Sequence, residues 1–109
     1  MAYKNLGYQK LYDLCVNIFD SYGFSREDSE RTTDILLCAD LFGIESHGIQ
    51  RLIRYYNELS WGLVDVGAEL EILKETPVSA LIDAHSAMGQ VAAYKGMEIA
   101  IEKAKKTGM

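Results

Sequence analysis

Ser46, His47 and Arg51 are the residues of this chain whose types and spacing could do chemistry. An imidazole takes up or releases a proton near neutral pH, and a guanidinium offers a planar fork that suits a carboxylate. Four positions apart, His47 and Arg51 share one face of an α-helix, and Ser46 stands where the N-cap of that helix would fall. A proton-transferring group beside a carboxylate grip is what chemistry on a small 2-hydroxy or 2-oxo acid requires. Tyr55, one further turn along the same side, could add a phenolic hydrogen bond to that set.

Each of these residues also has a plainer reading. The Ser46 hydroxyl can simply accept a free backbone N–H of the helix's first turn. His47 at an exposed helix start could be an ordinary surface residue, and Arg51 could pair with Glu45 or Glu58. Arg54 competes with Arg51 on geometry alone. His85, in Asp83-Ala84-His85-Ser86, invites a metal reading with His47 and Glu45. Zinc sites use three or four ligands at short repeated spacings, which these are not, so no metal is expected and His85 reads as a loop histidine. Gly48, Gly89 and Gly96 form neither a Rossmann fingerprint nor a P-loop.

The elements that must position these residues follow from periodicity. Leu11, Leu14, Cys15, Ile18, Phe19 and Tyr22 trace one face of a first helix, with Gly23 at its end. Ser25 followed by Asp28 resembles a capping box and opens a second helix, whose apolar stripe would be Ile35, Leu36, Ala39 and Phe42 before Gly43 stops it. A third helix is expected over 47–60, with Ile49, Leu52, Ile53 and Tyr56 inward and His47, Arg51, Arg54 and Glu58 opposite. After Trp61-Gly62 the pattern changes. Leu70 and Ile72 suggest a strand, Pro77 punctuates it, and 78–82 reads as a second, more buried strand. From about Gln90 the helical period returns, with Ala93, Met97, Ala100, Ile101 and Ala104 on one side and Gly108 as the cap.

The chain has 109 residues, about half of them hydrophobic (49%), which is enough for one core. Its net charge of −5 lacks the clustered basic face that a nucleic-acid partner needs. Cys15 and Cys38 each fall within an apolar helical stripe, so both are expected as buried free thiols in a reducing compartment. With no leader pattern and no apolar run of transmembrane length, a cytoplasmic protein without a membrane partner is expected.

One ordered set of motifs carries a resemblance. The run Ala39-Asp40-Leu41, Gly43-Ile44, Ser46-His47-Gly48 and Arg51-Leu52, with Tyr55 one turn on, resembles the start of the malate/L-lactate dehydrogenase family of the non-Rossmann type. It continues through Glu75-Thr76-Pro77, 80–83, Gly89-Gln90 and the helix end at 104–108. The resemblance implies an α/β fold, in which helices are followed by short strands and a further helix within a larger non-Rossmann cofactor-binding fold. It implies NAD or NADP as cofactor, a 2-hydroxy or 2-oxo acid as substrate and a homodimer as the full enzyme. It also implies His47 as the proton acceptor supported by Ser46, in a relay whose aspartate lies beyond Met109, with Arg51 and Tyr55 toward the substrate. Two strands alone make a poor sheet, so 1–109 reads as the N-terminal part of a longer enzyme, inactive by itself, whose cofactor residues are not among these. The rival expectation is a small acidic module that binds protein partners through a groove between its first and third helices.

Overall fold

Four α-helices, two short 3-10 turns and one β-hairpin make up residues 2–109, those that the computed structural model describes. They divide into a first unit that runs through Tyr56 and a second from Asn57 to Met109.

In the first unit, α1 (Tyr8–Ser21) ends where Gly23 turns left-handed at φ +96°, a conformation that glycine adopts without steric cost. Ser25 then caps α2 (Arg26–Leu41) by accepting the Asp28 N–H at 3.1 Å, as the spacing of those two residues predicts. Cys15, Val16, Phe19, Phe24, Leu36 and Leu37 are the buried apolar residues of this unit. The rings of Phe19 and Phe24 meet edge to face with centroids 6.0 Å apart, a favourable aromatic geometry.

The buried face of α2 differs from the apolar stripe expected of it. Leu36 is buried, but Ile35 and Cys38 are exposed and Phe42 is 76% exposed. Ser29, Thr32, Thr33, Leu36 and Leu37 turn inward instead, a helical stripe whose first three members are small hydroxyl residues. Periodicity counted on apolar residues alone rotates that face by roughly one position. Cys15 is buried as expected, and burial, with the Asp40 carboxylate second, pushes its thiol pKa up. Cys38 is not buried, because it falls on the outer side of the true stripe.

The helix expected over 47–60 begins only at Leu52. Two 3-10 turns, Glu45–His47 and Ile49–Arg51, precede α3 (Leu52–Ser60), and Ile53 and Tyr56, expected inward, are 75% and 57% exposed. α3 closes at Gly62, φ +72°, where the Gly62 N–H bonds Leu59 O and the Leu63 N–H bonds Glu58 O.

The second unit carries the two expected strands as an antiparallel hairpin, β1 (Glu71–Thr76) and β2 (Ser79–Asp83), joined through Pro77 and Val78. Ile72 pairs with Ile82 and Lys74 with Leu81, so Leu73 is an extra, bulged residue. β1 is exposed throughout while β2 alternates, which agrees with the second strand being the more buried. α4 (Gly89–Thr107) ends in the left-handed Gly108. Val91 is buried and Ala92, Lys95, Gly96, Ile99, Lys103 and Ala104 are half-buried, so of the expected stripe Ala104 turns partly inward while Ala93, Met97, Ala100 and Ile101 are exposed. Lys103 explains the offset: its Nζ donates to Glu75 Oε1 and to Thr76 O, each at 2.7 Å, and so holds this face of α4 to the hairpin. No helix among the described residues is long and apolar enough to cross a membrane.

Candidate functional site

The site begins where α2 stops. Gly43 at φ +76° lets the chain reverse, with the Gly43 N–H bonding Asp40 O at 3.0 Å and the Ile44 N–H bonding Ala39 O at 2.8 Å. Both bonds satisfy carbonyls that a helix end leaves without partners. The chain then makes its first 3-10 turn, closed by the His47 N–H to Ile44 O at 3.0 Å and the Gly48 N–H to Glu45 O at 3.1 Å.

At Gly48 the backbone is extended (φ −91°, ψ −151°), and helical bonding is interrupted. A continuous α-helix would need the Ile49 N–H to reach the Glu45 carbonyl. The Ile49 N–H instead donates to Asp40 Oδ2 at 2.7 Å, and the Glu45 carbonyl accepts from Gly48 and from the Gln50 side-chain amide. The Arg51 N–H bonds Gly48 O at 2.9 Å to form the second turn, from which α3 departs.

Ser46 is therefore not an N-cap, and its side chain caps no helix N–H. Its two oxygens do other things. Oγ lies 2.9 Å from His47 Nδ1, and its carbonyl accepts the Arg51 Nε. His47 and Arg51 are not helix neighbours four apart, yet Ser46 gathers both. A hydroxyl can accept from Nδ1–H or donate to a bare Nδ1, so the contact serves either protonation state and leaves Nε2 as the nitrogen for a reacting proton. The Arg51 Nε–H is taken by the Ser46 carbonyl, and the Nη edge of a guanidinium so held has the planar geometry that suits an anion. Ser46 and His47 are exposed and Arg51 is half-buried. Tyr55 is half-buried on α3, one turn beyond Arg51.

Asp40 is the member of this arrangement that sequence reasoning missed. Two signals pointed to it. It is a carboxylate in the last turn of a helix, where the dipole disfavours negative charge, and it continues the inward stripe of α2 by one more step. A cleft of about 690 Å³ is lined by Asp40, Glu45, Ile49 and Gln50 among others, on the side of this turn that His47 and Arg51 do not line. His85 lies in the second unit at φ +49°, with Nε2 2.7 Å from Glu71 Oε2 and its N–H on Asp83 Oδ1 at 2.8 Å. Among the described residues no group of three or more His, Cys, Asp and Glu side chains could hold a metal ion.

A sequence profile described as malate/L-lactate dehydrogenase matches residues 6–109. A malate dehydrogenase of Pyrococcus abyssi is 40% identical over 107 residues, which cover 98% of this chain and 30% of that protein. A malate/(S)-sulfolactate dehydrogenase of Methanothermus fervidus is 44% identical over 96 residues, 88% of this chain and 28% of that protein. The solved malate dehydrogenase of Pyrococcus horikoshii OT3 superposes with a TM-score of 0.95 at 39% identity, over 97% of this chain and 30% of its own. The chain thus spans about 30% of the length of such relatives.

Proposed function

The chain belongs to the malate/L-lactate dehydrogenase family, and on that premise we propose that 1–109 is the N-terminal part of a larger NAD- or NADP-dependent oxidoreductase acting on a small 2-hydroxy acid such as malate or lactate. The observation that carries this reading is the double role of Ser46, which touches the proton-transferring ring at 2.9 Å and anchors the guanidinium of Arg51. The names of the relatives, malate and sulfolactate dehydrogenase, share a substrate class with a carboxylate beside a hydroxyl-bearing carbon.

In the oxidising direction, Arg51 holds the substrate carboxylate through its Nη edge. His47 Nε2 accepts the hydroxyl proton, while Nδ1–H donates to Ser46 Oγ. The resulting imidazolium keeps that bond, since both ring nitrogens then donate and Oγ remains an acceptor. In the reducing direction the same nitrogen returns the proton to the 2-oxo oxygen.

A nicotinamide cofactor supplies the hydride acceptor or donor in such chemistry, and this reading assigns the residues that hold it to the remainder of the enzyme. The contribution of this chain is the proton acceptor and the grip on the substrate carboxylate. Its exposed His47 would need the remainder of the enzyme, or a second subunit, to exclude water.

Arg51→Lys tests the reading, because it keeps the charge and removes only the planar fork. In the full-length enzyme it should lower kcat/KM for 2-hydroxy acids by about 1.5–3 kcal/mol, the worth of a hydrogen bond to a charged group, and leave cofactor affinity unchanged. Arg54→Lys is the control. Equal losses from the two substitutions would mean a diffuse positive field and no carboxylate grip at Arg51.

A further inference from the structure

Resting on the reading that His47 moves the proton, we propose that Asp40 is the positioning residue of this site: its carboxylate holds the turn of Ser46 and His47 in the 3-10 form against the end of α2. Two separate observations place it there. Asp40 Oδ2 accepts the Ile49 N–H at 2.7 Å. On the preceding residue, a Cβ built on Gly48 would lie 2.0 Å from Asp40 Oδ1 and 2.2 Å from its Cγ, so the carboxylate fills the space that a side chain would take.

The competition is between two acceptors for one N–H. With Asp40 in place, the Ile49 N–H is turned away from the Glu45 carbonyl, the backbone extends at Gly48, and the Ser46 carbonyl is left for the Arg51 Nε. Without Asp40, the Ile49 N–H returns to the Glu45 carbonyl. The helix of α3 then grows backward through Gly48, and the relation of His47 to Ser46 and Arg51 changes. A bond from backbone N–H to an ionised carboxylate is among the stronger ones, which suits a single residue setting the path of a turn. The cost of an acid at a helix C-terminus is offset by that bond.

The test has two arms. In the selectively labelled full-length enzyme, nitrogen and carbon NMR shifts report the His47 tautomer, the Ile49 amide and helicity over 48–51. Asp40→Ala should shift the Ile49 amide upfield, raise helicity over 48–51 and alter the Nδ1 resonance of His47. Asp40→Asn, whose amide oxygen can accept the same N–H, should restore all three. Asp65→Ala removes a comparable loop bond, from the Gly67 N–H at 2.9 Å, and should leave His47 unmoved. In the full-length enzyme, Asp40→Ala should lower kcat by about 10- to 100-fold, the penalty of a misplaced reacting group, with cofactor KM unchanged and most of the loss recovered in Asp40→Asn.

An unaltered His47 ring in Asp40→Ala would overturn the proposal, as would a kcat equal to wild type. Should Asp40→Ala not fold, Asp40→Asn decides: retained Ile49 and His47 signals support the proposal and lost ones overturn it. Failure of the underlying reading looks different, for then His47→Ala turns over normally while the NMR arm still reports what Asp40 holds.

Discussion

A methyl group on Gly48 would stand 2.0 Å from Asp40 Oδ1, far inside van der Waals contact, so Gly48→Ala must either expel the carboxylate or distort the turn. Denaturant titration should show a loss of about 1–3 kcal/mol, the usual cost of overpacking. Gly96→Ala, with open space around the added carbon inside α4, should instead stabilise by roughly 0.5–1 kcal/mol through helix propensity. Equal effects of the two would mean that the apposition of Gly48 and Asp40 carries no constraint. At this scale the sequence made Ser46, His47 and Arg51 legible by type and order, and the structure does bring the three together. It did not make their geometry legible. Spacing was translated through an α-helix, whereas the Ile49 N–H goes to a carboxylate nine residues earlier, and a side chain's choice of acceptor leaves no periodic trace.

The C-terminal ends of the helices, the start of α2 and the hairpin were readable among the elements because glycine, a capping serine and proline mark them locally, whereas the start of α3 was misplaced. Gly23, Gly43, Gly62 and Gly108 all take positive φ at or just beyond a helix end. Which face each helix buries was harder, since Ser29, Thr32 and Thr33 are inward but polar, and Lys103 draws one side of α4 to the hairpin. That last contact has a pH signature. The hydrogen bond and charge of Lys103 hold the Glu75 carboxyl below its ordinary range. A carboxylate with a depressed folded pKa stabilises above its unfolded pKa of about 4.3, and this contribution is lost as pH falls through the folded value. Unfolding of wild type and Glu75→Gln, compared from neutral to acid pH, should show a wild-type advantage at neutrality that disappears in acid. An advantage that persists undiminished at low pH would remove the ion pair as its source.

Over the whole molecule, the groups suited to moving a proton and gripping a carboxylate are concentrated in the six residues from Ser46 to Arg51 of the first unit. The second unit contributes an antiparallel hairpin and a long helix. A net charge of −5 gives the chain no net positive field of its own to draw an anion from a distance, so the account rests on the local placement of His47 and Arg51. The most direct test of it is the turnover number of His47→Ala in the full-length enzyme with malate, lactate or sulfolactate at saturating substrate and cofactor, on protein whose circular dichroism matches wild type. The account predicts a fall in kcat of about two to four orders of magnitude, the worth of a positioned acid or base. Turnover within a few-fold of wild type would contradict it.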